Sequence, residues 1–226
     1  MLNLTNLSLT QRKAGFALIL MCWMNFALAA TPGEIASFFR SVQIDDPGTV
    51  EKMLAGGKFD PNTIDPVNGE PGLTLALREG AERVVAVFLA ERKVDLERQA
   101  HNGNTPLMMA AFKHNKPAVL AMLARGAVVN RPGWTALHYA AASGDDEIAA
   151  ILLEHHAYID AEALAKFTPL MMAAREGHET TVALLLDAGA DPRLKNTEGM
   201  TALNIAERAD KPRIVALIAA RLAARK

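Results

Sequence analysis

The chain has 226 residues, of which 50% are hydrophobic and 22% charged, and its formal net charge at neutral pH is −1. That apolar fraction suits a folded core and excludes a disordered chain, and the near-neutral balance gives no general basis for nucleic-acid binding. A single cysteine, Cys22, excludes a scaffold built on disulfides.

The first segment stands apart from the rest. Arg12-Lys13 precede an apolar run from Ala14 to Leu28, interrupted by Gly15 and Asn25, and Ala27-Leu28-Ala29 has the small-x-small form of a cleavage site. This pattern predicts a secretory signal peptide over residues 1–29, with the mature chain beginning at Ala30. An uncleaved anchor is the alternative, but the run is shorter than the roughly 18 to 20 apolar residues that a spanning helix needs. Cys22 does not make a lipidation site, because Ile19-Leu20-Met21 before it contains no small residue. Cleavage would remove the lone cysteine together with Arg12 and Lys13, shifting the net charge to −3. No N-x-S/T sequon with a permitted middle residue follows residue 30. The expected location is therefore the periplasm or the exterior, with no stable membrane insertion after cleavage.

Residues 30–226 read as one domain of helical hairpins. Ile35 to Val42 and Val50 to Leu54, ending at Gly56-Gly57 and Asp60-Pro61-Asn62, form a divergent first hairpin. Leu73, Ala76 and Gly80, followed by Val84, Val85, Phe88 and Leu89, form a second. Beyond them a block T-x-L-x-x-A recurs as Thr105-Pro106-Leu107, Thr135-Ala136-Leu137, Thr168-Pro169-Leu170 and Thr201-Ala202-Leu203, at intervals of 30, 33 and 33 residues. Paired alanines follow each of the first three leucines at Ala110-Ala111, Ala140-Ala141 and Ala173-Ala174. Thr caps a helix and Pro fits its first turn, where a missing N–H costs nothing. The paired alanines let a second helix approach closely. That helix carries Ile148, Ile151, Leu152 and Leu153 in its fourth copy, and glycines such as Gly126 and Gly189 supply left-handed caps. One hairpin cannot bury its apolar faces alone, whereas stacked neighbours can.

The period and the T-P-L-x-x-A block resemble ankyrin repeats. The resemblance implies an all-α solenoid of about six helix-turn-helix repeats with short β-hairpin fingers, at approximately 31–66, 67–100, 101–130, 131–163, 164–196 and 197–226. It casts Thr105, Thr135, Thr168 and Thr201 as structural, and His138 as the family's His bonded to Thr135. Met108, Met171 and Asn204 occupy that histidine's register in the other repeats, so the local network is expected to be missing there.

Catalytic constellations are absent from this sequence. After residue 30 the serines are Ser37, Ser41 and Ser143, none in a G-x-S-x-G elbow, and there is no phosphate-binding loop or H-E-x-x-H helix. His155-His156 with Asp160 lacks the usual spacing of a zinc site, and Asp145-Asp146-Glu147 reads as an acidic helix start rather than a calcium site. No enzyme activity, metal or cofactor is expected.

The remaining function is recognition of a protein partner by a monomeric scaffold. The resemblance places binding on the fingers and inner helices, with variable positions flanking the Thr. Before it stand Trp134, Phe167 and Met200; seven residues after it stand Phe112 and Arg175. These five are the candidate partner-binding residues, the first three forming either an exposed stripe or internal finger packing. The shorter interval places a notch at Asn130-Arg131-Pro132-Gly133, beside Trp134. Two competing readings use the same scaffold: an exported effector or toxin-neutralising protein, and a small-molecule or metal binder or enzyme built on the concave groove.

Overall fold

The computed structural model describes residues 30–224, so the leader expected at 1–29 and the last two residues of the basic tail lie outside the described residues. Twelve α-helices follow in consecutive pairs: α1 (Pro32–Gln43) with α2 (Pro47–Ala55), α3 (Gly72–Glu79) with α4 (Glu82–Ala90), α5 (Pro106–Phe112) with α6 (Lys116–Ala124), α7 (Ala136–Ser143) with α8 (Asp146–Glu154), α9 (Pro169–Glu176) with α10 (Glu179–Asp187), and α11 (Ala202–Arg208) with α12 (Pro212–Ala224). The odd-numbered helices stack on one another as an inner row and the even-numbered ones as an outer row. This is an all-α repeat solenoid. No helix among the described residues is long and apolar enough to cross a membrane.

The inner helices start where the Thr positions lie. Thr105 and Thr168 are N-caps whose hydroxyls accept the backbone N–H of Met108 and Met171, both at 3.3 Å, with Pro in the first turn. The capping network survives the loss of histidine. In the third repeat the Met108 sulfur accepts from the Thr105 N–H at 3.5 Å, and in the sixth the Asn204 Oδ1 accepts from the Thr201 N–H at 3.1 Å. The expectation that this network is missing wherever His is replaced is thus corrected at Met108 and Asn204. Each side chain presents an acceptor at the third helical position, which is all a reciprocal cap needs.

Seven residues after the repeated leucine, or after Phe38 in the first repeat, the backbone turns left-handed, at Asp45, Gly80, His114, Gly144, Gly177 and Asp210, with φ between 53° and 98°. Glycine is demanded most strongly at Gly144, where an added Cβ would stand 2.4 Å from the His178 Nδ1 of the following repeat.

Leu73, Leu107, Leu137 and Leu170 are buried along the stack, as are the alanine pairs, whereas Leu203 in α11 is half-buried. A continuous apolar seam thus runs between the two helical rows. The fingers are turns and not β-hairpins. Among the described residues there is no strand, and one isolated bridge joins Ile64 to Pro71. The later fingers close on single bonds, Ala100 N–H to the Asn104 carbonyl at 2.9 Å, Ala163 to Phe167 at 2.8 Å and Asn196 to Met200 at 3.0 Å.

Candidate functional site

The shortened finger has a structural counterpart at the junction of the third and fourth repeats. There the inner helices α5 and α7 make the closest pairing in the inner row, while the outer helices α6 and α8 make the sparsest contact in the outer row. The finger itself is tied to both neighbours. Arg131 pairs with Glu97 at 3.0 Å, and the Asn130 side chain donates to the His156 carbonyl at 2.7 Å and accepts the Tyr158 N–H at 2.8 Å. A hollow of about 230 Å³ lies over it, walled by Asn104, Arg131, Gly133, Trp134 and the exposed Leu164.

A larger groove of about 420 Å³ opens on the inner row, lined by Phe112 from α5, Trp134, His138, Tyr139 and Ala142 from the fourth repeat, and Met172, Arg175 and Glu176 from α9. Trp134 lines both hollows. The alanine at position 142, where neighbouring repeats place Phe112 and Arg175, leaves the floor low. Phe112 is 43% exposed.

The rings meet at steep angles. Phe112 and Tyr139 have centroids 6.0 Å apart and planes at 89°; Trp134 lies 6.3 Å from Tyr139 at 67° and 5.3 Å from the His138 ring at 78°. The Tyr139 hydroxyl donates to the buried Asn104 Oδ1 at 2.5 Å. Burial raises the Tyr139 pKa, and the bond to Asn104 opposes that shift in part. At the rim the Arg175 guanidinium lies 5.6 Å over the Phe167 ring while its Nε donates to Glu176 at 2.8 Å.

His138 forms the back of the groove and is fully buried. Its Nδ1 accepts the Thr135 N–H at 3.2 Å and lies 2.9 Å from the Thr135 hydroxyl, so the proton resides on Nε2, 3.0 Å from the Phe167 carbonyl. Burial holds its pKa down at about 4, against smaller upward pulls from the carbonyls of Phe167 and Ala161.

Of the five candidate residues, Phe112, Trp134 and Arg175 come together around one groove, and Phe167 joins them through Arg175. Met200 does not line it; like Trp134 and Phe167 it is half-buried against the core. Tyr139, Met172 and Glu176 also line the groove and are not among the five candidates. A signal for the first two existed, because Met109, Tyr139 and Met172 all lie four residues after the repeat Thr.

The acidic triplet is structural. Asp145 caps α8 through the Ile148 N–H at 2.8 Å and meets His114 Nδ1 at 2.8 Å, Asp146 accepts from the Thr181 hydroxyl at 2.6 Å, and Glu147 pairs with Lys116. His155 and His156 are exposed, and among the described residues no group of three or more His, Cys, Asp or Glu side chains gathers as a metal site would.

Comparison with known proteins agrees with the architecture. The family model described as ankyrin repeats in three copies matches residues 38–132, 73–164 and 159–225. The mouse (Mus musculus) nuclear factor NF-kappa-B p105 subunit is 34% identical over 137 residues, covering 58% of this chain and 14% of that protein. The human (Homo sapiens) SH3 and multiple ankyrin repeat domains protein 2 is 34% identical over 160 residues, 69% of this chain and 9% of that protein. Palmitoyltransferase Hip14 of Drosophila melanogaster is 42% identical over 72 residues, 31% of this chain and 11% of that protein. The chain therefore spans between 9% and 14% of the length of these relatives. With the repeat register, the paired helices and the family model in agreement from residue 38 to residue 225, the chain belongs to the ankyrin-repeat family.

Proposed function

We propose that this protein is a non-catalytic binding scaffold whose protein partner docks in the groove bounded by Phe112, Trp134, Phe167 and Arg175, with Met200 flanking it. Ankyrin repeats are mainly protein-interaction modules, and the observation that carries the reading is the exposed aromatic groove spanning three successive repeats. Exposed apolar area concentrated in a concave site, with one charged side chain at its edge, matches the composition of binding hot spots. The groove offers no nucleophile paired with a base. His138, its one imidazole, has both ring nitrogens committed to Thr135 and Phe167.

The leader pattern over residues 1–29 supports a periplasmic or secreted working place. N-terminal sequencing of the mature protein is expected to begin at Ala30, and recovery of an intact Met1 in membranes overturns this part of the reading.

The docking test compares wild type with the double variant Trp134→Ala and Arg175→Ala in affinity capture from periplasmic extract. The variant must first match the wild-type circular dichroism and thermal melt. Truncating one buried anchor of this kind costs about 2 kcal/mol, or roughly thirtyfold in affinity. A partner that wild type retains and the folded variant loses supports the groove. Equal capture by both moves the search to the outer helices.

A further inference from the structure

We infer that an extended segment of the protein partner threads the gap between Gly103 and Arg131, beside the shortened finger, and pairs there with backbone groups that this chain leaves unbonded. The inference rests on the reading of the protein as a protein-binding scaffold, and it adds the place and the conformation of one bound segment.

Elsewhere in the row, successive fingers are joined by a backbone bond. The N–H of His101, four residues before Thr105, donates to the carbonyl of Gly69 in the preceding finger at 3.0 Å, and the N–H of Thr197, four residues before Thr201, donates to that of Ala165 at 3.0 Å. At the same register the N–H groups of Arg131 and Leu164 donate to nothing among the described residues, and the carbonyls of Gly103 and Gly133, at the register of Gly69, accept nothing there. Both junctions of the shortened finger therefore lack the bond. Its own backbone is unpaired as well: from Val129 to Trp134 no N–H and no carbonyl is bonded among the described residues, whereas the third, fifth and sixth fingers each close on a bond of their own. The segment is half-buried or exposed, so solvent serves these groups in the free chain and the backbone of a partner can replace it.

The finger is held in place without these groups. Glu97 takes the Val128 N–H at 2.8 Å and the Arg131 guanidinium at 3.0 Å, and the Asn130 side chain bonds to His156 and Tyr158 of the next repeat. A segment fixed in advance loses little freedom when it pairs. Between Gly103 and Arg131, where the preceding junction has its bond, lies the hollow of about 230 Å³. The residues on its two sides thus carry N–H groups without acceptors and a carbonyl without a donor. An extended peptide presents N–H and C=O groups along both edges, whereas a helix has already spent them within itself. Met108, Trp134 and the exposed Leu164 give the hollow apolar wall for one side chain, and the twofold period of a strand turns the next one outward.

Short linear peptides displayed on phage and selected on the full chain supply the probe. An enriched peptide, resynthesised, is expected to carry apolar residues at alternate positions and to lose about tenfold in affinity when a backbone nitrogen at its centre is methylated. Amide exchange at Arg131 is expected to slow in the complex. Replacing Asn130-Arg131-Pro132-Gly133 with the seven residues from Arg193 to Gly199 adds three residues and restores the interval of 33; this lengthened finger is expected to abolish peptide binding while the chain still melts as wild type does. Failure to enrich any peptide, affinity indifferent to methylation at every position, unchanged exchange at Arg131, or full binding by the lengthened variant overturns the inference. If that variant does not fold, methylation and exchange on the wild type decide the matter. If the paired segment fails these tests while partner capture still depends on Trp134 and Arg175, the strand site is wrong and the docking reading stands. A peptide that pairs here while capture ignores those two residues leaves this inference standing and overturns the groove.

Discussion

The imidazole of His138 spans a repeat boundary: its Nε2–H donates to the carbonyl of Phe167, 3.0 Å away and 29 residues along the chain, while Nδ1 closes the cap at Thr135. One side chain thus finishes a helix in the fourth repeat and clamps the finger of the fifth. Phe167 in turn carries Arg175, so the clamp also positions the rim of the groove.

That clamp predicts a pH dependence of stability. Folded His138 titrates at about 4 because burial disfavours its charged form, whereas the unfolded residue titrates at its ordinary value of 6.5. Between these values the unfolded chain binds more protons than the folded one, so stability rises with pH across the window. The contribution is complete above pH 6.5, falls as pH drops, and is lost below about 4. A separation of this size corresponds to about 3 kcal/mol. His138→Met places there the residue found at the same register in Met108 and Met171. Melting followed from pH 7 to pH 4 is expected to show a flatter slope for the variant. At neutral pH the variant is expected to be less stable by about 1 kcal/mol, from the lost His138 bond to the Phe167 carbonyl, which keeps its bond from the Ala163 N–H. Parallel slopes for the two proteins refute the assignment.

The left-handed register predicts unequal costs for glycine replacement. Gly144 and Gly199 have φ of 76° and 75°, so alanine is strained by the backbone to the same degree at both. An added Cβ meets nothing within 4 Å at Gly199, but at Gly144 it meets the His178 ring at 2.4 Å. His178 would have to abandon its Nε2 bond to the Ala142 carbonyl, 3.0 Å long. Gly199→Ala is expected to cost about 1 kcal/mol, and Gly144→Ala a further 1 kcal/mol or more through the lost bond. Chemical denaturation of the two variants measures the difference, and equal costs would show that His178 moves aside freely.

What could be read from the sequence follows from which contacts repeat. Leu107, Leu137 and Leu170 and their alanine pairs recur because every repeat buries the same seam, so helix pairing and stacking were legible from the period. Contacts between repeats are made by single side chains that differ at each junction. Neither the reach of His138 to Phe167 nor that of Tyr139 to Asn104 leaves a periodic trace. The capping role of Met108 and Asn204 was hidden for another reason, since a thioether and an amide serve the geometry usually assigned to histidine. Phe112, Trp134 and Arg175 were found because the variable positions of a repeat are countable. Tyr139 was overlooked within a run of alanines, although the register it shares with Met109 and Met172 marks it as facing the groove.

The acidic start of α8 separates capping from surface pairing. Asp145 has a side chain only 14% exposed, caps the helix through Ile148 and holds His114 of the preceding repeat. Glu147, two residues on, pairs with Lys116 of that same repeat, but its side chain is 64% exposed. Both contacts cross one boundary, and their energetic weights should differ. Removing a cap leaves a helical N–H unsatisfied and costs typically about 1 kcal/mol, to which the loss of the His114 partner adds at Asp145. An exposed ion pair is screened and carries the entropy cost of ordering two long side chains. Asp145→Ala is therefore expected to lower the denaturation midpoint clearly, while Glu147→Ala leaves it almost unchanged at physiological salt. Repeating both measurements at low salt should bring out a small contribution from Glu147 and leave the effect at Asp145 nearly as before, because a short bond to a backbone N–H is little affected by mobile ions. A loss at Glu147 equal to that at Asp145 would mean that the repeats are held together here by charge, and that the helix cap is incidental.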